Sequence, residues 1–530
     1  MAASATDHVA ILGGGIGGLA AAALLAARGV QVTLLERAAE VGGKLRQVTA
    51  GGHGIEAGPT VFTMAGVLRD IFAAAGGDLD REVCLVPAEV LARHAWPDGS
   101  RLDLFADPAR TQAAIGDFAG AAAARAWAGF AAEARRIHDT LAEAFLWRPR
   151  TNPVGLTFRL GLRRLPELQA TRPYETMWAA LGGHFADQRL RQLFARYATY
   201  CGADPFRAPA TLMLIAHVET SGVWLVEGGL SRLALALASV ARRHGARILT
   251  GAEVTDILVA GGRARGVRLA SGEVVSADAV IANCDPSAIG SGRLGAAARR
   301  AVRAVPREAR SLSSLTLLAR GVAEGFPLQH HNVFFSADYA AEFAAIRAGR
   351  LPDEPTVYLC AQDRSADSAP GGSGAHPFDG TGESVQIIVN APATGDTGSP
   401  GEREIRRCED AIWTCLRRSG LSFRPVPDGI ARVTPAEYER LFPSTGGALY
   451  GRASHGWAAS FLRPGSRSRI PGLYLAGGAC HPGPGVPMAA ASGRLASEAV
   501  LRDLASTGRF LPAATPGGMS MRSPTTATMG

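Results

Sequence analysis

The sequence predicts an α/β protein in which a doubly wound sheet, assembled from separate stretches of chain, adjoins a second region of mixed sheet with a helical cover. Three observations carry this. Residues 7–36 read as strand, glycine turn, helix and strand; residues 472–504 repeat the strand, glycine turn and helix; hairpin-punctuated strands and alanine-rich helical stretches lie between them. At 530 residues the chain exceeds what a single hydrophobic core usually serves, so two regions sharing a long interface are expected.

The first element is a short buried strand at 7–12, followed by the turn Gly13–Gly18, a helix over 19–28 and a second strand over 30–36. Gly13, Gly15 and Gly18 form G-x-G-x-x-G, with Ile16 and Gly17 completing the turn. The first glycine permits the tight turn and the second lets backbone approach a pyrophosphate. The third lets helix and strand pack closely, which makes the unit Rossmann-like. The helix N-terminus offers N–H groups and partial positive charge to phosphates. Glu36 closes the second strand, where a carboxylate accepts from a ribose 2′-hydroxyl and repels a 2′-phosphate. NAD and FAD both satisfy this unit. Beyond it, Glu36-Arg37 leads to Gly42-Gly43-Lys44-Leu45-Arg46, where a glycine pair can pass beside a pyrophosphate and Lys44 or Arg46 can add positive charge.

Helical spacing follows at 65–75, 109–147 and 174–200. A glycine turn at 222–229 introduces a helix over 231–244, then strands at 246–249, 254–259, 264–269, 274–276 and 279–282. Apolar runs at 312–318, 357–360 and 385–390 suggest a second sheet, with a Gly/Ser/Asp-rich surface insertion at 365–382. The strand 472–476 ends in Gly477-Gly478, and Val486-Pro487-Met488 opens an alanine-rich helix from 489 to 504. Proline suits a first helical turn because its missing N–H would have had no partner there. The expected organisation is a dinucleotide-binding part (1–105), a helical lid (106–220), a second dinucleotide-binding part (221–300), a substrate region of sheet and helices (301–460), a last dinucleotide-binding part (461–506) and a disordered tail (507–530).

Composition narrows the function. The formal charge of +8 comes from dispersed arginine without a Lys/Arg block, so an anionic membrane surface is favoured over nucleic acid. Seven scattered cysteines without a C-x-x-C pair indicate neither a disulfide scaffold nor a zinc site, and no metal is expected. There is no apolar run long enough to span a bilayer and no basic segment ahead of an apolar one, so a cytoplasmic location is expected. Residues 145–172 interleave Phe145, Leu146, Trp147, Leu156, Phe158 and Leu165 with Arg148, Arg150, Arg159, Arg163 and Arg164, which predicts a basic interfacial helix. There is no Ser-His-Asp order and no H-E-x-x-H, so hydrolytic chemistry is disfavoured.

The segments E-R-x-x-x-x-G-G-K (36–44), Glu56-Ala57-Gly58-Pro59-Thr60-Val61-Phe62-Thr63-Met64, 196–205, 222–229 and His481-Pro482-Gly483-Pro484-Gly485-Val486-Pro487-Met488 resemble those of the bacterial carotenoid desaturases, flavoproteins of the phytoene desaturase type, over residues 7–505. Within them the chain looks most like the hydroxyneurosporene desaturases of photosynthetic bacteria. The resemblance implies FAD stretched between the two glycine turns, with the backbone of Val254 against the adenine and Gly58, Pro59 and Thr60 beside the flavin ring. It implies removal of two hydrogens across C3–C4 of an acyclic 1-hydroxy or 1-methoxy carotenoid, a lipophilic substrate met at the inner membrane surface. The flavin N5 accepts the hydride; the weak candidates for a base are Glu56 and His481. No motif names an electron acceptor. Phytoene desaturation, flavin-dependent carotenoid isomerisation and a non-enzymatic lipid-escort role stand as alternatives.

Overall fold

The computed structural model describes residues 7–364 and 382–506; the expected insertion, except Gly382, and the expected tail at 507–530 lie outside the described residues. A five-stranded parallel sheet takes its strands in the order Arg247–Leu249, Gln31–Leu35, His8–Leu12, Ala279–Ala282 and Leu473–Leu475. Parallel strands buried on both faces read as unbroken apolar runs, and every residue of Ala279–Ala282 and Leu473–Leu475 is buried. The helices Ile16–Ala26, Ser231–Arg243 and Val486–Ser506 pack together beside it. The first is buried all round, which explains its nearly pure Gly/Ala/Leu composition.

The first and last of these helices approach closely because both carry glycine at the crossing. A Cβ on Gly493 would stand 2.0 Å from the Gly17 carbonyl oxygen, and one on Gly17 would stand 2.7 Å from that of Ala489. Chain ends nearly 500 residues apart are thus locked into one layer.

A second, seven-stranded sheet runs in the order Ser422–Val433, Ser313–Glu324, Glu383–Ala391, Val357–Ala361, His331–Phe334, Val90–Ala95 and Arg101–Phe105, antiparallel except where His331–Phe334 meets Val90–Ala95. The hairpin at 90–105, grouped from the sequence with the first dinucleotide-binding part, pairs into this sheet. Its antiparallel strands form the second core with the helix Glu402–Arg418.

The helical stretch differs from the sequence reading in its breaks. The helix expected over 109–147 divides at Gly120, whose φ of +87° suits glycine alone, into Pro108–Ala119 and Ala121–Leu141. The stretch 174–200 divides into Met177–His184, Gln188–Ala195 and a 3₁₀ turn, the second helix being started by the Asp187 side chain. The interfacial helix expected over 145–172 is instead three short pieces, Pro153–Leu160, Leu162–Arg164 and Leu165–Gln169. Proline starts the first, Gly161 at φ +84° ends it, and Pro166 marks the last.

Candidate functional site

The two glycine turns predicted at opposite ends of the chain converge. Gly42 donates to the carbonyl of Gly14 at 2.8 Å, and the glycine pair crosses the first turn so closely that a Cβ on Gly43 would stand 3.1 Å from the Gly15 Cα. Gly13 at φ +94° and Gly42 at φ +129° require conformations that side chains disfavour. A Cβ on Gly18 would meet the Gly13 carbonyl oxygen at 2.2 Å, the helix-to-strand approach expected of that glycine. At the C-terminal turn, a Cβ on Gly485 would find nothing within 4 Å, and one on Gly478 nothing nearer than 3.7 Å. Gly485 therefore borders open space, whereas Gly478 makes ordinary contact with Pro484 and Ala489.

Asn283, just past the strand Ala279–Ala282, joins the turns, and the sequence reading missed it. Its Nδ2 donates to the Gly13 carbonyl at 3.0 Å, while its Oδ1 lies 3.1 Å from where a Gly477 Cβ would stand. The only local signal was an amide side chain at a strand end within the apolar run Ala279-Val280-Ile281-Ala282, too common a placement to single out. Ser492 adds to this by accepting from the Gly477 N–H at 2.7 Å.

Glu36 is buried, and its two oxygens accept from Gly14 N at 2.6 Å and Ala38 N at 2.8 Å. Backbone bonds from Glu36 to Leu249, and from Ala252 to Glu36, bring the start of the strand Val254–Ala260 alongside it. Val254 therefore stands close by in the fold. Arg37 is exposed and donates to the carbonyls of Arg440 and Leu441. Leu45, Val486 and Pro487 are buried and Met488 is half-buried.

Positive charge gathers beneath these turns. Lys44 is half-buried, donates to the Leu449 carbonyl and stands 5.1 Å over the Phe442 ring; burial lowers its pKa to about 8, against the pull of Asp285 and with the help of Arg463. Arg463 is buried and donates to the carbonyls of Tyr450 and Arg452. Arg46 keeps a buried Nη2 with no hydrogen-bond partner. Asp285 opposes Lys44 and Arg463, but it already caps Ser287 at 2.8 Å. A surplus of enclosed cationic groups beside glycine-walled space fits an anionic diphosphate.

The segment Glu56–Thr60 lies between the sheets. The Glu56 carboxylate accepts from Ser231 Oγ at 2.5 Å, Ser231 N at 3.2 Å and Gln47 Nε2 at 3.0 Å, which caps the helix Ser231–Arg243. A Cβ on Gly58 would lie 2.0 Å from the Lys44 carbonyl oxygen, so this turn folds directly onto the glycine pair. Gln386 of the second sheet donates to the Gly58 carbonyl at 3.0 Å, so the turn also touches that sheet. His481 packs edge-on to Phe145 at 4.9 Å; its Nε2 bonds the Arg148 carbonyl at 2.8 Å, and its Nδ1 is buried without a partner. Burial lowers its pKa to about 4, although the Arg148 carbonyl favours the protonated ring.

Residues 16–373 match the family described as flavin-containing amine oxidoreductase. The chain is 49% identical over 526 residues to the hydroxyneurosporene desaturase of Rubrivivax gelatinosus, covering 99% of each chain. It is 43% identical to that of Cereibacter sphaeroides, covering 94% of this chain and 99% of the relative. Among solved structures, an oxidoreductase from Methanosarcina mazei superposes with a TM-score of 0.58 at 16% identity, covering 93% of this chain and all of that one, which is a likeness of fold. The chain belongs to the flavin-containing amine oxidoreductase family, in its carotenoid desaturase group, and is an FAD-dependent oxidoreductase.

Proposed function

We propose that this protein desaturates C3–C4 of acyclic 1-hydroxy or 1-methoxy carotenoids while docked on an anionic membrane surface. The observation that carries the reaction is the identity of 49%, at nearly full length, to a protein named hydroxyneurosporene desaturase. Bound FAD supplies the hydride acceptor. Gly13, Gly15, Ile16, Gly17, Gly18, Glu36, Arg37, Gly43, Lys44, Leu45, Gly58, Pro59, Thr60, Val254, Gly477, Gly478, Val486, Pro487 and Met488 would hold it, with Asn283 keeping the two turns in register. Of the two candidate bases, Glu56 has both oxygens engaged, whereas His481 keeps an unbonded ring nitrogen and stays neutral at physiological pH.

The docking surface rests on exposed apolar side chains from two distant segments. Val154, Phe158, Leu165 and Tyr174 come from one, and Trp457 and Leu462 from the other. Tyr174 and Trp457 meet at 5.8 Å, and the Arg150 guanidinium clasps the Phe461 carbonyl at 2.7 Å, so the two segments lie side by side. Arginines 148, 150, 159, 163 and 164 accompany it in the chain. Large apolar groups exposed among cations suit a headgroup layer. Among the described residues, no helix is long and apolar enough to cross a membrane.

The test is incubation of the FAD-loaded enzyme with liposomal 1-hydroxyneurosporene. Loss of two mass units with a red shift of the polyene absorption is expected. Conversion of phytoene, with no change in 1-hydroxyneurosporene, would reassign the substrate; a changed spectrum at constant mass would make the protein an isomerase.

A further inference from the structure

Deep in the second region, facing the apolar core, lies a polar cluster that the binding of FAD does not use. Arg196 is 5% exposed and Glu219 is 2% exposed. The Arg196 Nη1 donates to the Tyr200 hydroxyl at 2.7 Å, and the hydroxyls of Tyr197 and Tyr200 donate to the two oxygens of Glu219. The guanidinium stands 4.9 Å over the Tyr200 ring, with its nearest approach to Glu219 at 3.9 Å. Burial works against its charge, but Tyr200 and Glu219 outweigh that and keep it protonated. Two of its nitrogens, Nε and Nη2, are buried with no hydrogen-bond partner.

A second set of polar groups approaches from the sheet, where Tyr358 packs against the same apolar cluster as Tyr197 and Tyr200. The His331 Nδ1 shares a 2.8 Å bond with the Tyr358 hydroxyl, and its Nε2 is buried and unpartnered. Arg196 lies close enough to disfavour a charge on His331 and to influence Tyr358, and burial is the larger cause of the neutral ring. Cys360 pairs with His331 on one side and with Gln386 on the other, and Gln386 donates to the Gly58 carbonyl at 3.0 Å, so the cluster adjoins the Gly58-Pro59-Thr60 turn.

Idle buried donors are costly, and an intact native site that holds several in one place has a use for them. A hydrocarbon polyene needs only carbon walls. An oxygen on C1 is different, because it accepts hydrogen bonds whether it is a hydroxyl or a methyl ether. It is separated from the C3–C4 bond by C2 alone, so its binder must adjoin the site of oxidation, as a cluster beside the Gly58 turn does.

We propose that Arg196, positioned by Glu219 and flanked by Tyr200, Tyr358 and His331, donates to the C1 oxygen of the carotenoid end group and sets the preference for oxygenated substrates. This rests on the desaturase reading and names the feature of the substrate that the site selects. A pocket built around an oxygen rejects the analogue lacking it, because its donors are then left unpaired.

The test compares 1-hydroxyneurosporene with neurosporene, each in liposomes, on the full-length FAD-loaded enzyme. Binding is read from the polyene absorption, and kcat and KM are measured separately. The wild type should prefer the hydroxylated carotenoid. Arg196→Gln should lower that preference about 10- to 100-fold, mainly through KM and Kd, and Arg196→Lys should restore part of it. Tyr358→Phe removes one hydroxyl from the sheet side and should lower it about 3- to 10-fold, which decides the matter even where Arg196→Gln fails to fold. Unchanged preference in folded, yellow Arg196→Gln, or in Tyr358→Phe alone where the former is lost, overturns the proposal. If the wild type binds hydroxylated carotenoid selectively without oxidising it, the desaturase reading fails while the oxygen socket stands.

Discussion

The Gln386 side chain donates a 3.0 Å hydrogen bond to the carbonyl of Gly58, fastening the second sheet to the turn that folds over the glycine pair. Gln362, on the neighbouring loop, does the same to Glu56 with both ends of its amide, accepting from its N–H at 3.0 Å and donating to its carbonyl at 2.8 Å. The turn that joins the two regions is therefore held by side chains more than 300 residues away in the chain. Gln362→Leu should remove both bonds and leave buried backbone groups unpaired, costing about 1–3 kcal/mol. A lower urea midpoint and an altered flavin absorption band are the expected readings.

Asn283 makes a second prediction. Asn283→Leu should reduce flavin content and lower stability by about 1–3 kcal/mol, because the Gly13 carbonyl loses its donor and a larger side chain meets Gly17 and Gly477. The ratio of absorbance at the flavin band to that of protein measures the first effect. Full flavin occupancy with wild-type melting would remove Asn283 from the site.

Two helical glycines should respond in opposite directions. Gly493→Ala drives a Cβ into the Gly17 carbonyl and should destabilise by about 1–3 kcal/mol or more. Gly129→Ala, within the helix Ala121–Leu141, meets nothing within 4 Å and should stabilise by about 0.5–1 kcal/mol. Thermal melts of the two variants against wild type check both signs.

The pH dependence of stability follows from His481. Its folded pKa of about 4 lies below the ordinary 6.5, chiefly through burial. Between those values the unfolded chain binds the proton and the folded chain does not, so stability falls as pH is lowered from 6.5 toward 4. The full contribution is on the order of 3 kcal/mol. Denaturant midpoints at pH 7 and pH 5 should differ less in His481→Phe than in wild type.

Membrane docking can be separated from catalysis. Phe158 is 73% exposed and Leu462 is 56% exposed, so Phe158→Asp and Leu462→Asp should leave the fold intact. Each should weaken sedimentation with phosphatidylglycerol vesicles about 10-fold or more, given the apolar burial lost. Trp457 fluorescence should shift to the blue when wild type binds, and binding should weaken with salt.

Much of the candidate cofactor site's backbone geometry was legible because its requirements are local. A tight turn needs glycine where φ is positive, as at Gly13 and Gly42, and the carboxylate of Glu36 must close a strand. Fold class followed from the same patterns, since strand and helix periodicities are properties of short windows. The broken segment at 145–172 was misread as one helix because its apolar and basic residues outvoted Pro153, Gly161 and Pro166, whose backbone constraints decide the matter.

What the sequence by itself determined, then, was that two glycine turns flank a long chain and that FAD suits both. Only the tertiary structure decided that Asn283 bridges those turns, that Gln362 and Gln386 pin Glu56 and Gly58, and that Arg196 keeps idle donors beside Tyr200. The physical reason is one of range. Backbone conformation is dictated by the residue that adopts it, whereas the partner of a buried polar side chain is set by strand order and register across hundreds of residues.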